Sequence, residues 1–339
     1  MLRSMSSAIT GLTLNQTALD VIGNNIANMG TTGYKAQTLT FSDSLSQSMR
    51  DPNAPSPTYG GSNGIQIGLG AGIAGVNTLL TQGNFQPTSR NLDNAIDGDG
   101  YFIVGEGPTM FAPGDGITVD ANHKFTDNGN PSHEDIQYTR DGSFNLDQDG
   151  NLVTASGLRV LGYSMLDKKA GAASSISNNG TINFVNANSS AGIKAVSGTL
   201  RTLRIPQVIQ ENGKDEKVKN FSIDKSGVIM AVLDDGNTSA VGQIAMASFA
   251  NPAGLVKLGN NVVQSSPDSG APIIRSGYKD DNDNSKGFGS IQNGVLEMSN
   301  VDIAEQFTKM IEATRSFQAN GKMITTGDEI LQDLVNLKR

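Results

Sequence analysis

Both ends of this chain carry an apolar stripe of heptad-like period, and few folds accommodate that. Near the N-terminus Leu2, Met5, Ile9, Leu12, Leu19 and Ile26 step by threes and fours, with Gln16 and Gly23 filling the remaining seam positions. Near the C-terminus Ile303, Phe307, Met310, Thr314, Phe317, Gly321, Ile324, Asp328, Leu331 and Val335 do the same. The spacing predicts helices over 3–28 and 301–336, about 39 Å and about 54 Å long. Asn300 is the expected N-cap, Asp302 suits the electropositive first turn, and Glu305 with Lys309 makes a well-oriented pair one turn apart. A stripe on a long helix in water needs a partner. The simplest partner is the other terminus, which gives an antiparallel coiled-coil pair, although an ordinary helical hairpin closing a domain has the same pattern. The small and polar seam residues Gln16, Gly23, Thr314, Gly321 and Asp328 suit helices that meet several neighbours closely.

The stretch between the helices is β-rich. Residues 221–223, a DKSG turn, 228–233, a DDGN turn and 242–250 read as a meander. Residues 138–144, a DQDGN turn and 152–153 read as a hairpin, and 100–104 as a short buried strand. Two Ser/Asn/Gly/Ala-rich stretches, 106–134 and 167–203, read as exposed inserts or a small β subdomain. RDPNAPSPTYGGSNG at 50–64 and SGYKDDNDNSKGFGS at 276–290 look extended and irregular. The expected organisation is a mainly β domain over 76–274 and a discontinuous helical domain from 1–30 and 298–339. Extended arms at 31–75 and 275–297 join them.

Composition removes several function classes. A net charge of −8 and a pI near 4.8 repel nucleic acid and acidic lipid. With no cysteine there are no disulfides and no thiolate metal sites. No apolar run approaches the roughly 20 residues of a membrane span, so no direct membrane insertion is expected. The first residues lack the continuous apolar core and the small-residue cleavage site of a secretion signal. Either the protein stays in the cytosol or another route exports it.

Motifs that resemble catalytic or ligand sites fail on context. Gly70–Gly75 has the GxGxxG spacing of dinucleotide loops, but residues 76–82 are too short and too β-prone for the helix that must follow. Asn145, Asp147, Asp149 and Gly150 open like a calcium loop, yet Ser156 stands where a bidentate Glu is needed. Asp281, Asn282 and Asp283 place Lys286 at the required glycine position. His123 and His133 are the only histidines, both in an expected insert, and neither sits beside a candidate nucleophile. Carboxylate pairs such as Asp97 and Asp99 flank a glycine and serve the turn. The expectation is no catalysis, no cofactor and no metal.

Phrases spread across the chain resemble one known family. LDVIGNNIAN at 19–28 with TGYK at 32–35 is similar to the N-terminal signature of bacterial flagellar rod and hook proteins. NVD at 300–302 with MIEATRSFQAN at 310–320 is similar to the C-terminal one. LDNAIDGDGYF at 92–102, YTRDGSF at 138–144 and FANPAGL at 249–255 match internal phrases in the same order. YGGSN at 59–63 and QIGLG at 66–70 look like the shorter, Gram-positive type of hook subunit. TQGNFQPT at 81–88 is similar to distal rod subunits as well, while overall length favours hook.

The resemblance implies a subunit of a tubular helical homopolymer. The terminal helices form an inner layer around an export channel, the arms lead to outer β domains, and inserts decorate the outside. The implied role is a curved, flexible universal joint that transmits torque from rod to filament, with distal rod as the alternative. Implied partners are further copies of the chain, the distal rod, hook cap and hook–filament junction proteins, and the type III export apparatus. That apparatus delivers the chain outside the cell without a cleaved signal. The expected assembly residues are Leu12, Leu19, Asn24, Asn25, Ile26, Asn28 and Gly33, with Asn300, Phe307, Met310, Arg315, Phe317, Asn320, Ile324 and Leu331. Asn24, Asn25 and Asn28 are expected to bond neighbouring subunits, Gly33 to turn the backbone into the arm, and Gly23 and Gly321 to permit close approach.

Overall fold

The N-terminal stripe folds as helix α1, Leu2–Ala27, and the C-terminal stripe as α2, Ile303–Leu337. The structure is a computed structural model. It describes residues 2–337 except 56, 58–59, 107–115, 121–122, 126–135, 168–181, 188–191, 197, 212–213, 276 and 278–287. The chain divides into a helical unit (1–29, 35–79 and 301–339) and a β unit (30–34 and 80–300).

In the helical unit α1 and α2 run antiparallel. Asn25 meets Gln306, a Cβ on Gly11 would lie 2.6 Å from Asn320 Nδ2, and one on Gly327 would lie 3.3 Å from Met5 Cγ. The inward row of α1 passes through Ala8, Gly11, Leu14, Ile22 and Asn25, offset from the expected stripe. Ile9 is exposed, and Leu12, Leu19 and Ile26 are half-buried. Small residues permit this, because the helices approach closely where Ala8 and Gly11 leave room. Gly23 and Gly321 face open space within the chain, so the expected close approach occurs at Gly11 and Gly327 instead. The N-cap of α2 is also corrected. Asp302 Oδ1 accepts from the N–H groups of Ala304 (2.8 Å) and Glu305 (3.3 Å), whereas Asn300 donates to Thr81 within the β unit.

The rest of the helical unit is a hairpin, not an irregular arm. Strand β1 (Gln37–Asp43) pairs with β4 (Ala71–Thr78), and β2 (Ser46–Arg50) pairs with β3 (Ile65–Gly68), all antiparallel. Bonds from Ser44 N–H to Gly70 O (2.9 Å) and from Leu69 N–H to Leu45 O (2.8 Å) continue the ladder across the gap. The sequence TLTFSDSLSQSM over 38–49 alternates with period two. Its register puts Leu39, Phe41, Asp43 and Leu45 on one face, opposite Val76, Ile73, Ala71 and Leu69. Thr40, Ser42, Ser44 and Ser46 line the other face, opposite Gly75, Gly72, Gly70 and Gly68. The GxGxxG match therefore lies at and within β4, with no helix after it, and the dinucleotide reading falls. Gly70 serves packing, since a Cβ there would lie 2.5 Å from Thr10 Oγ1 of α1.

The β unit holds two apolar clusters separated by strands buried on both faces. Along the strand Tyr101–Gly105, Phe102 and Val104 enter one cluster and Ile103 enters the other. Val160 and Leu161 divide in the same way, as do Ile229 and Val228. The meander is present as Lys214–Ile223, Val228–Leu233 and Thr238–Ile244. The expected 138–144 hairpin is broken. Ile136–Thr139 pairs with Tyr101–Gly105, and only Asn145–Leu146 pairs with Leu152–Val153. The chain must turn between them because Gly142 is pressed against the Asn94 carbonyl, and Ser143 N–H closes an Asx turn on Asp141 (3.1 Å).

The described parts of the expected inserts are woven into this unit. Ile117–Thr118 pairs with Thr199–Leu200, Ile193–Ala195 with Met165–Asp167, and Ile182–Asn183 with Ile209–Gln210. Most of 106–134, His133, residues 168–181 and most of 276–290 lie outside the described residues. The C-terminal arm is not free either. Ser290–Asn293 pairs with Asn94–Asp97, and Val295–Glu297 pairs with Phe85–Pro87.

Candidate assembly site

In the helical unit the expected assembly residues split into two groups. Met310, Ile324 and Leu331 are half-buried and Asn320 packs beside Gly11. Ile303, Phe307 and Ile311 lie bare, one turn apart on one face of the first turns of α2, with Phe307 49% and Ile311 62% exposed. Phe317 is also exposed, and Arg315 donates to Gln318 of its own helix (3.2 Å). On the hairpin, Phe41, Ile73, Leu45 and Ile67 continue an uncovered apolar face, with Leu45 65% exposed. A groove of about 270 Å³ opens between α1, α2 and β1, lined among others by Ala18, Ile22, Leu39, Phe41 and Ala313.

The asparagines of the NNIAN phrase separate as well. Asn28 Nδ2 donates to the Asn24 carbonyl and to Asn24 Oδ1 (both 2.9 Å), closing the last turn of α1 at the surface. Asn25 is fully buried. Its Oδ1 accepts from Gln37 N–H (2.9 Å), and its Nδ2 donates to Gln37 O (2.7 Å) and to Gln306 Oε1 (3.1 Å). The expectation that Asn25 bonds a neighbouring subunit is therefore corrected. Its amide is satisfied inside the chain, where burial without partners would be costly.

In the β unit the family-like phrases meet at one ion pair. Arg140 Nε donates to Glu297 Oε2 at 2.8 Å, with Glu297 fully buried and Arg140 largely so. The Arg140 guanidinium also donates to the carbonyls of Gly98 and Gly100 and stands 5.9 Å from the Tyr101 ring centre. The other Glu297 oxygen accepts from Gly83 N–H (3.1 Å), and its backbone carbonyl accepts from Gly33 N–H (2.8 Å). Gly33 has a φ of 67°, and a Cβ there would lie 2.9 Å from the Arg140 backbone, so both conformation and space require glycine. Lys257 lies 5.0 Å over the Tyr34 ring, and Asn261 Nδ2 reaches the Thr32 carbonyl (3.3 Å). Burial lowers the Lys257 pKa and raises that of Tyr34. Residues 30–34 are thus pinned to the β unit. Sequence reading did not find Arg140 and Glu297 as partners. The available signal was Arg140 inside the YTRDGSF phrase and Glu297 in the short VLE stretch before NVD, and each also reads as plain surface.

Among the described residues no group of three or more His, Asp and Glu side chains is placed to hold a metal. A chain that leaves two long apolar faces bare on one unit while closing the cores of the other belongs to the class of assembly subunits. Three family models match it, described as "Flagella basal body rod protein" over 5–35, "Flagellar hook protein FlgE/F/G D1 domain" over 128–231 and "Flagellar basal body rod FlgEFG protein C-terminal" over 292–337. The flagellar basal-body rod protein FlgG of Bacillus subtilis is 39% identical over 339 residues, covering all of both chains. The flagellar hook protein FlgE of Borreliella burgdorferi is 30% identical over 474 aligned residues, again covering all of both. FlgG of Agrobacterium fabrum is 31% identical over 97% of each. Among solved structures, the Helicobacter pylori hook protein FlgE2 aligns with a TM-score of 0.38 at 11% identity, over 63% of this chain and all of the other. The chain belongs to the flagellar rod and hook protein family, which is structural and not enzymatic.

Proposed function

We propose that this chain is a self-polymerising subunit of the flagellar axial tube, exported through the flagellar type III apparatus. The observation that carries the reading is the pair of uncovered apolar surfaces on the helical unit, Ile303–Phe307–Ile311 on α2 and the Phe41–Leu45 face of the hairpin. Faces of this size stay soluble poorly alone and are covered when copies stack. Leu12, Leu19, Ile26, Phe307 and Phe317 are the side chains offered to neighbouring copies. Asn24, Asn28 and Arg315 are polar groups at the same surface.

Within that tube the chain is proposed as a rod segment at the boundary with the hook. A relative aligned over all of both chains carries the rod name and supports this position. The hook reading keeps support from the full-length likeness to the Borreliella hook protein. Under either position the neighbours are axial proteins of the adjoining segments. Under the hook reading these include the hook cap and hook–filament junction proteins. Deleting the gene and imaging the cells separates the two. Rod loss removes every external structure, whereas hook loss leaves a completed rod in the envelope.

A further inference from the structure

The helix pair faces a problem of choice that its apolar residues do not solve. α1 carries two adjacent rows, one through Ala8, Leu14 and Ile22 and one through Ile9, Leu12, Leu19 and Ile26. On α2, Met310, Phe317, Ile324 and Leu331 repeat every seventh residue. Apolar rows of this period fit one another again after a slide of one heptad or a small rotation of either helix. Among the described residues of the helical unit, Asn25 and Gln306 are the buried polar side chains. They bond each other, and Asn25 bonds both backbone groups of Gln37 on β1.

We propose that Asn25 is the lock that sets both the register of α2 against α1 and the rotation of α1 against the hairpin. A slide of one heptad sets Asn25 against Ala313 and breaks the bond between two buried amides, a penalty no apolar contact imposes. A rotation by one position breaks the two bonds to Gln37. The lock therefore selects the row through Ala8 and Ile22 for the inside and leaves the Leu12–Leu19 row outward. The lock itself rests only on the fold of the helical unit. Its consequence for polymer growth rests on the proposed function.

The absence of cysteine makes the test direct, because an engineered disulfide has no competitor. Met5→Cys with Gly327→Cys reports the observed register, while Met5→Cys with Asn320→Cys or with Leu334→Cys reports slides of one heptad either way. Each pair is oxidised in the purified full-length chain and in axial structures sheared from cells. With Asn25 present, the 5–327 bridge should dominate. In an Asn25→Leu background of similar volume, the 5–327 yield should fall several-fold and a slid bridge should appear. Gln306→Leu keeps the Gln37 bonds and should release the slide alone, which guards against an Asn25 variant that fails to fold. Unchanged, exclusive 5–327 bridging in both variants overturns the lock, as does a parent chain that forms the slid bridges equally well. If only the assembly reading is wrong, the parent stays monomeric while the bridging difference persists.

Discussion

The strand Tyr101–Gly105 is a continuous apolar run and the hairpin strand β1 alternates apolar with polar residues, and the two meet opposite fates. In the β unit alternate residues enter two closed clusters, and neither face of the strand meets water. On the hairpin the alternation gives one apolar face that nothing in the helical unit fully covers. The difference teaches where stability comes from. The β unit holds its own free energy of folding, whereas the helical unit leaves part of its burial to be completed by association. Among the described residues the helical unit buries only the neutral amides Asn25 and Gln306, whereas the β unit also buries charge, with Glu297 paired to Arg140.

The comparison breaks most visibly at Arg140. Arg140→Ala leaves Glu297 buried without its cation and removes the donors to the Gly98 and Gly100 carbonyls. Stranding one partner of a buried pair costs about 3–5 kcal/mol. Tyrosine fluorescence reports it during urea unfolding, since the chain has no tryptophan and Tyr101, Tyr138 and Tyr163 are in the β unit. The helical circular dichroism signal should change little. A loss below about 1 kcal/mol would mean that Glu297 finds other partners and that the node is not central to the unit.

Matched truncations sharpen the comparison. Phe102 is fully buried and packs edge-on against Phe144, with ring centres 5.1 Å apart, so Phe102→Ala should cost about 3–5 kcal/mol. Phe307→Ala removes a ring that already meets water, and the isolated chain should lose no more than about 0.5 kcal/mol. Sedimentation and motility should reverse this order, with the Phe307 variant stable but poor at polymer growth. A Phe307→Ala chain that polymerises normally would remove that face from the assembly surface.

A smaller change tests the helical unit by itself. Asp302→Ala removes the acceptor for the Ala304 and Glu305 N–H groups and should cost about 1 kcal/mol of α2 stability. It should appear in the helical signal and leave the tyrosine transition in place. Asn300→Ala, which is not at the cap, should spare the helical signal.

Some of this was legible in the sequence and some was not, for identifiable reasons. The two helices were, because an apolar period of three and four sustained over so many residues fits a helix and not a strand. Which row of α1 turns inward was not. The rows through Ile22 and through Leu19 are comparably apolar, and what separates them, the room left at Ala8 and Gly11 and the bonds made by Asn25, carries no hydrophobic signal. The alternation over 38–49 was written plainly, but the Pro- and Gly-rich tip at 50–64 made the whole segment read as linker. Arg140 and Glu297 stand 157 residues apart, and no local pattern pairs them. The Asn25 site was flagged by its phrase, but its direction inward depends on Gln37, which no periodicity marks.

The smallest effect is an acid limb confined to the β unit. Burial pushes the Asp147 carboxyl up. Hydrogen bonds from the Asn151 side chain and backbone and from Asp149 N–H, with the Arg159 charge nearby, outweigh it and hold the pKa below its ordinary value. A carboxyl with a depressed folded pKa contributes stability above its unfolded pKa of about 3.9 and loses it as pH falls through the folded value. Asp147→Asn deletes that titration while keeping an acceptor for the turn. The parent's tyrosine-monitored stability should fall more steeply below about pH 4 than the variant's, and the two slopes should coincide near neutrality. Because the loop is part of the β unit, the acid dependence of the helical signal should be the same in both chains. A difference there would mean that the two units do not unfold independently, and the division between a self-contained and an association-dependent unit would need redrawing.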